Sequence, residues 1–537
     1  MWDLIRDSIF GQCLRLSSGR KLARYPDEEP DFQLPDGYLS PSRPSNGDPG
    51  RPSSSNDADI ETASKEASLV VISWYGDADP ENPYNWSFGK KLWVAMLLFA
   101  YTFAVYIGSS MYTSGTVDIM ETYGVSNIVA SLGLSMYVFA YGLGPMLFSP
   151  LSEIPAVGRT LPYISTFILF VILCVPMSLV DNIGGILVLR FLLGFFGSPC
   201  LATAGASYGD FYGASAMPYV IALWGGGATL GPALGPLVAG FAVQAKGWRW
   251  SSWELLWLSA PIMVFMFLSM PETSSDTILR RRAQRLRVRT GRTDLKSESE
   301  VRQAQMNPRQ ITFNALIKPW EINALDPAVF FSTFYTALTY GIYYSFFEAF
   351  PLVYGDMYGF NIGEQGLAFL AVLSGLCVAV VLLCSYFYFI APKQLGKYDP
   401  DSIPPEARIW PGLFATWLIP IGLYIFAWTA DPDIHWVVSL LGIAISMCGV
   451  FIITQCMFIY LPFTYPRFAG SLFAANGFAR SLFAGASILF ARPMFDGIEV
   501  SGGVTLLASF SVLCILGMFL LYHFGARLRK RSRFTGM

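Results

Sequence analysis

About twelve stretches between Leu92 and Phe524 are apolar for long enough to cross a bilayer as helices, and this leaves little room for any other fold. Hydrocarbon about 30 Å thick takes a helix of about 20 apolar residues. The first six run Leu92 to Tyr112, Ile128 to Phe148, Leu161 to Val180, Ile183 to Tyr208, Pro218 to Val243 and Leu255 to Met270. The second six run Pro327 to Val353, Leu367 to Ile390, Trp410 to Trp428, Trp436 to Tyr460, Ser471 to Phe490 and Val504 to Phe524. Composition agrees, with 53% of residues hydrophobic and 14% charged, against about 25% charged in an ordinary soluble domain. Six runs on either side of a loop holding Arg280, Arg281, Arg282, Arg285, Arg287 and Arg289 point to a duplicated, all-α membrane protein of two six-helix bundles.

Charge sets the expected sidedness, because short loops bearing Lys and Arg stay on the cytosolic side. Lys90, Lys91, Arg159, the central arginines, Lys393, Lys397, Arg408, Arg467, Arg527, Arg529, Lys530 and Arg531 fall on one side. Asp118, Glu121, Asp181, Asp356, Asp431 and Asp433 fall on the other, with Lys246, Arg249 and Arg492 as exceptions. The expected order is a cytosolic tail over 1–91, a bundle over 92–271, a cytosolic loop over 272–326, a bundle over 327–525 and a basic cytosolic end over 526–537. Within the tail, Trp2, Ile5, Ile9 and Phe10 recur at helical spacing beside Arg6 and Arg15, the pattern of a short helix on a membrane surface. Pro26 to Ser68, rich in Pro, Ser, Asp and Glu, is expected to be disordered. Asp3, Arg6 and Asp7 interrupt any signal-peptide core, so the first span is expected to direct insertion. The sequon Asn85-Trp86-Ser87 falls on the cytosolic side and is expected to go unused.

Several classes are disfavoured. The eight cysteines show no framework spacing and, apart from Cys13, lie in apolar runs, so neither disulfides nor a zinc site are expected. Two histidines, His435 and His523, cannot supply a His-rich metal site. There is no Gly-Lys-Ser/Thr phosphate loop to support ATP drive. No polar catalytic cluster marks an enzyme, no cofactor is implied, and nucleic acid is not an expected partner.

Ionisable residues at membrane depth are few: Arg190, Glu348 and Arg480, with Asp210 just past the fourth span. Each costs a few kcal/mol or more there unless it faces a partner or water, so such residues mark a pathway by default. Arg190 shares a helix face with Gly194, Gly197, Leu201 and Gly205. Glu348 follows Tyr340 and Tyr344 at four-residue steps, and a carboxylate among rings in low dielectric suits reversible protonation near neutral pH. Glu348, Arg190 and Asp210 are therefore the candidate proton-coupling residues. Tyr340, Tyr344 and Phe347, with Gln455 and Asn476 on later spans, are the candidate lining of a substrate cavity.

The fifth span carries Gly227, Gly231 and Gly235 at four-residue intervals, followed by Gly240. They form a flat face that admits another backbone, while Pro232 and Pro236 remove ladder hydrogen bonds and bend the helix.

These residues resemble the major facilitator superfamily, and within it the fungal twelve-span drug:proton antiporters. Gly231-Pro232 and Gly235-Pro236 look like that family's antiporter motif, with Pro236 where a second glycine is usual. Asn82-Pro83-Tyr84-Asn85-Trp86 before Lys90-Lys91 resembles its entry to the first span, and Pro271-Glu272-Thr273 its exit from the sixth. Arg190 with Gly194 is similar to its fourth-span motif. Ser149-Pro150-Leu151-Ser152-Glu153 with Gly158-Arg159 is similar to the gating loop after the second span, although this loop is longer and has Thr160 where a basic residue is usual. The Ser198-Pro199-Cys200-Leu201-Ala202-Thr203 and Phe347-Glu348-Ala349-Phe350-Pro351 runs look like the benomyl/methotrexate-resistance branch. The resemblance implies a major facilitator fold and proton-coupled efflux of small amphipathic molecules. It further implies a gating role for Glu153, Gly158 and Arg159, and a monomer in the plasma membrane. Proton-symport uptake on the same fold is the alternative.

Overall fold

The computed structural model describes residues 2–29, 31–34, 38, 70–213, 215–304, 317–397, 404–464 and 469–531. Helices dominate them, since hydrocarbon offers a backbone amide no partner outside its own segment. Among the described residues, ten helices are long and apolar enough to span a membrane by composition alone. The last of these, Leu472–Lys530, is two spans, because its helix breaks at Ile498 and at Glu499, where φ is 61°. Pro327–Phe350 completes twelve; its Thr, Ser and Tyr side chains keep it out of that apolar set.

The first bundle comprises Phe88–Ser110, Asn127–Glu153, Thr160–Leu179, Ile183–Phe211, Met217–Lys246 and Trp250–Ser269. The second comprises Pro327–Phe350, Ile362–Leu395, Trp410–Thr429, Trp436–Thr464 and residues 469–497 and 500–531. Several spans overrun their apolar limits, since caps rather than hydropathy end a helix. The first starts at Phe88, not Leu92, where the Ser87 hydroxyl accepts from the Lys90 N–H at 3.4 Å. The sixth starts at Trp250, not Leu255, after Gly247 turns the chain with φ at 82°. The seventh opens on Pro327, with Asp326 accepting from the Ala328 and Val329 amides at 2.9 and 3.1 Å. The fourth is interrupted: Ser198–Leu201 tightens into a 3-10 turn at Pro199, which supplies no N–H, and the α-helix resumes at Thr203–Phe211.

The bundles meet along two seams, the second span against the eleventh and the fifth against the eighth. Shifting each number by six exchanges the seams, as a duplicated architecture requires. Small residues line both. A Cβ on Gly142 would lie 2.4 Å from the Ser481 side chain, and one on Gly366 would lie 2.4 Å from the Pro236 carbonyl oxygen. Ser135 also donates to the Gly485 carbonyl at 2.8 Å. Leu147, Ile172, Trp257, Val381 and Leu513 point outward, leaving an apolar exterior.

At the end that bears the termini, the chain builds a small polar module where a loop and a disordered tail were expected. Short helices Trp2–Asp7 and Ile9–Ser17 lie against the sixth span, with Phe10 edge-on to Phe267 at 6.0 Å. Helix Ser275–Thr290 of the central loop packs on strands Val70–Ile72 and Leu295–Ser297, which pair in parallel. The disorder expected from Pro26 does not begin there: Pro26–Glu28 forms a 3-10 turn, and Asp27 is 1% exposed. Local composition hides the cause, because Asp27 is held by Arg285 at 2.8 Å from far along the chain. Residues 30, 35–37 and 39–68 of that segment lie outside the described residues.

Candidate functional site

Tyr340 and Tyr344 stand one turn apart on the seventh span and meet Tyr141 of the second, where the two bundles face each other. The Tyr141 hydroxyl lies 2.5 Å from that of Tyr340 and donates to that of Tyr344 at 3.0 Å. Ser109 of the first span closes the group at 3.2 Å from the Tyr344 hydroxyl. Four hydroxyls from both halves thus share one buried network, and the tyrosine rings seal the level around them. Arg480 lies against this seal, its guanidinium over the Tyr340 ring at 4.7 Å and the Phe458 ring at 5.1 Å.

The other cavity candidates flank this level or lie beyond it. Asn476 donates to Thr336 at 2.9 Å and Thr333 at 3.3 Å on the seventh span. Gln455 presses its amide on Gly225, where a Cβ would sit 1.9 Å from Nε2. Phe347 belongs to another level, stacked on Phe369 at 5.1 Å in the wall of a cavity of about 560 Å³ between the bundles. That cavity, lined also by Thr113, Asn127, Gln365 and Arg492, lies towards the end opposite the termini.

Glu348 opens onto the same cavity. It sits near the end of the seventh span rather than well inside it, because the α-helix gives way at Phe350 to a π turn, Pro351–Met357. Ser131 donates to it at 2.7 Å and Asn127 at 3.2 Å, both from the second span. Neither residue stood out in the sequence, since Ser and Asn in the first turns of a helix are common and carry no charge.

Arg190 meets neither Glu348 nor Asp210. It donates to the carbonyls of Gly108 at 2.7 Å, Ser109 at 2.9 Å and Gly133 at 3.0 Å, and lies over the rings of Tyr112 and Tyr137 at 4.6 and 4.3 Å. The close approach expected of its helix face is present, since a Cβ on Gly194 would come 2.3 Å from the Tyr137 carbonyl oxygen. Among the described residues Arg190 has no carboxylate partner.

Asp210 pairs with Arg159 of the loop after the second span. Arg159 donates to it through Nε at 2.6 Å and Nη2 at 3.2 Å, and Thr273 adds a bond at 3.0 Å. The Arg159 N–H turns to Glu272 at 3.0 Å, and Gly158 makes the turn possible with φ at 77°. A Cβ on Gly158 would lie 2.3 Å from the Glu272 carboxylate. Glu153 ends the second span and forms no ion pair with Arg159 among the described residues.

The glycine face of the fifth span lies against the first. A Cβ would come 3.0 Å from the Phe99 ring at Gly227, 2.7 Å from the Ile107 nitrogen at Gly231 and 1.8 Å from the Ser110 hydroxyl at Gly235. Gly240 turns to the other bundle, where a Cβ would lie 2.9 Å from the Ile362 carbonyl oxygen. Pro232 and Pro236 are buried between these contacts.

Comparison with known proteins agrees with this geometry. A family model described as Major Facilitator Superfamily matches residues 98–488. The chain is 41% identical over the full length of both proteins to "MFS-type transporter pyvG" of Aspergillus violaceofuscus. It is 36% identical, again over both full lengths, to "Cycloheximide resistance protein" of Candida maltosa. Among solved structures it is similar to the proton:xylose symporter XylE, with a TM-score of 0.59 at 11% identity over 81% of this chain and 97% of that one, a likeness of fold. It is a multi-pass membrane transporter and not an enzyme, and the chain belongs to the Major Facilitator Superfamily.

Proposed function

We propose that this transporter exports small amphipathic organic compounds, such as drugs, fungicides, toxins or secondary metabolites, in exchange for protons. Its two bundles rock about the tyrosine level. The observation that carries the reading is Glu348, a carboxylate of one bundle that accepts hydrogen bonds from Ser131 and Asn127 of the other at the wall of a cavity. Protonation replaces a charged acceptor by a weaker neutral one. The proton therefore binds differently when this contact is made and when it is broken, which is the requirement for coupling. The drug-resistance name of a full-length relative supports both the cargo class and the outward direction.

In this reading the termini and the Arg280 to Arg289 segment are cytosolic, and the Arg159–Asp210 pair holds the cytosolic end shut. The protein works as a monomer in the plasma membrane, driven by the proton gradient rather than ATP. The test is purified protein in proteoliposomes with an imposed pH gradient and a panel of antifungals and dyes that includes cycloheximide. Gradient-driven substrate movement opposite to protons, abolished by a protonophore, is expected. Transport that survives the protonophore would refute proton coupling, and movement of both in one direction would make the protein a symporter.

A further inference from the structure

Among the described residues, two arginines are buried at membrane depth, and only one of them has its donors satisfied. Arg190 spends its donors on three main-chain carbonyls. Arg480, about three turns into the eleventh span and 6% exposed, makes no ion pair or hydrogen bond with any described residue, and its buried Nε has no acceptor. Two aromatic rings are its partners. Buried charges are ordinarily paired, so a buried guanidinium whose partners among the described residues are two rings is suited to receive an anionic group.

Its surroundings share this character. The Gln455 Oε1 and Asn476 Oδ1 atoms are also buried without a donor, on the tenth and eleventh spans. Phe458 is flanked by Trp224 of the opposite bundle at 5.5 Å, giving flat apolar walls contributed by both halves. The tyrosine hydroxyls close the level.

We propose that Arg480 anchors and selects the cargo, and that the cargo carries an anionic oxygen (carboxylate, phenolate or enolate) on a planar apolar frame. This rests on the transport reading above. A guanidinium presents a planar fork matched to such oxygens, while Tyr340 and Phe458 supply faces for the frame. The same unpaired cation repels positively charged molecules, so Arg480 excludes the cationic dyes that aromatic walls alone would accept.

The test uses two xanthene dyes of similar frame and opposite charge, carboxyfluorescein and rhodamine 123. Fluorescence anisotropy reads their binding to the purified full-length protein. The wild type is expected to bind carboxyfluorescein more tightly. Arg480→Gln is expected to weaken carboxyfluorescein tenfold or more while leaving rhodamine 123 unchanged or tighter. Arg480→Lys, which keeps the charge should the Gln variant misfold, is expected to keep the anion preference with affinity reduced at least threefold. Equal weakening of both dyes, a wild-type preference for rhodamine 123, or no binding of carboxyfluorescein would overturn the assignment. Wild-type binding of carboxyfluorescein without proton-driven movement in proteoliposomes would overturn the proton-coupled reading and leave Arg480 in place. Proton-driven transport that Arg480→Gln leaves intact for both dyes would do the reverse.

Discussion

Glu348 can be stripped of its titration without being stripped of its shape. Glu348→Gln still offers Ser131 an oxygen, yet its charge is fixed. The expected outcome is loss of pH-driven efflux with substrate affinity kept within about twofold, read by substrate-evoked proton movement beside equilibrium binding. Full coupling in that variant would pass the role to another carboxylate. For Arg190 the three carbonyl contacts change what a substitution does. Arg190→Ala leaves buried acceptors unsatisfied at about 1–3 kcal/mol each, so lowered thermal stability in detergent is expected along with lost transport. If Arg190→Ala unfolds like the wild type yet fails to couple, the residue acts in the chemistry after all. Arg480 was as visible in the sequence as Arg190. Nothing linear in the chain tells a satisfied buried arginine from an unsatisfied one, because carbonyl partners carry no side-chain signature.

At the scale of elements, the fifth span shows how far a pattern can be read. The four-residue glycine repeat announces a face that touches a backbone, and the first span supplies it. It does not announce that Gly240, one turn beyond the repeat, serves the other bundle. Gly235→Val must displace Ser110, whereas Gly226 on the same helix has open space around its absent Cβ. Gly235→Val is therefore expected to cut transport several-fold at matched surface expression, since overpacking costs about 1–3 kcal/mol, and Gly226→Val to be tolerated. The reverse ranking would place the Gly235 face against lipid. Hydropathy over an 18-residue window finds ten helices, which hold eleven of the spans. It loses the seventh, whose tyrosines and threonines form the site, because the residues that serve a polar pathway are those that dilute an apolar signal.

For the whole molecule, the polar module at the terminus-bearing end ties the N-terminal helices and the central loop to one bundle. Arg282 is fully buried and paired to Asp79 at 2.6 Å, and Arg285 reaches both Asp27 and Glu81. Removing one partner of such a buried pair costs about 3–5 kcal/mol, so Arg282→Gln is expected to release the N-terminal segment to protease. Burial works against the Asp79 charge, yet hydrogen bonds from Arg282 and the Tyr75 amide outweigh it and hold the carboxyl below its usual value. A value lowered by folding adds stability above the ordinary Asp pKa, about 3.9. That stability is lost only as pH falls through the folded value. The module is thus expected to stay docked at neutral pH and detach below about pH 4, followed by hydrogen exchange across Val70–Ile72. Detachment near pH 6 would mean that another group controls it. Sidedness has its own test: tags at both termini are expected to be accessible only from the cytosol, and glycan on Asn85 would invert the orientation.

The sequence alone determined that this chain crosses the membrane about twelve times in two halves, since apolar length and charge sorting are properties of the linear chain and the bilayer reads them locally. It also determined which few charges must have a reason to be there. Only the tertiary structure decided what those reasons are. Asp210 went to Arg159, Arg190 to main-chain carbonyls and Glu348 to Ser131 and Asn127 of the second span, while Asp27, which the sequence had not singled out, went to an arginine on the central loop. Each partner lies in another element, brought near by packing of faces, and the energy of a buried charge depends on distances of a few ångströms that no spacing along one helix encodes.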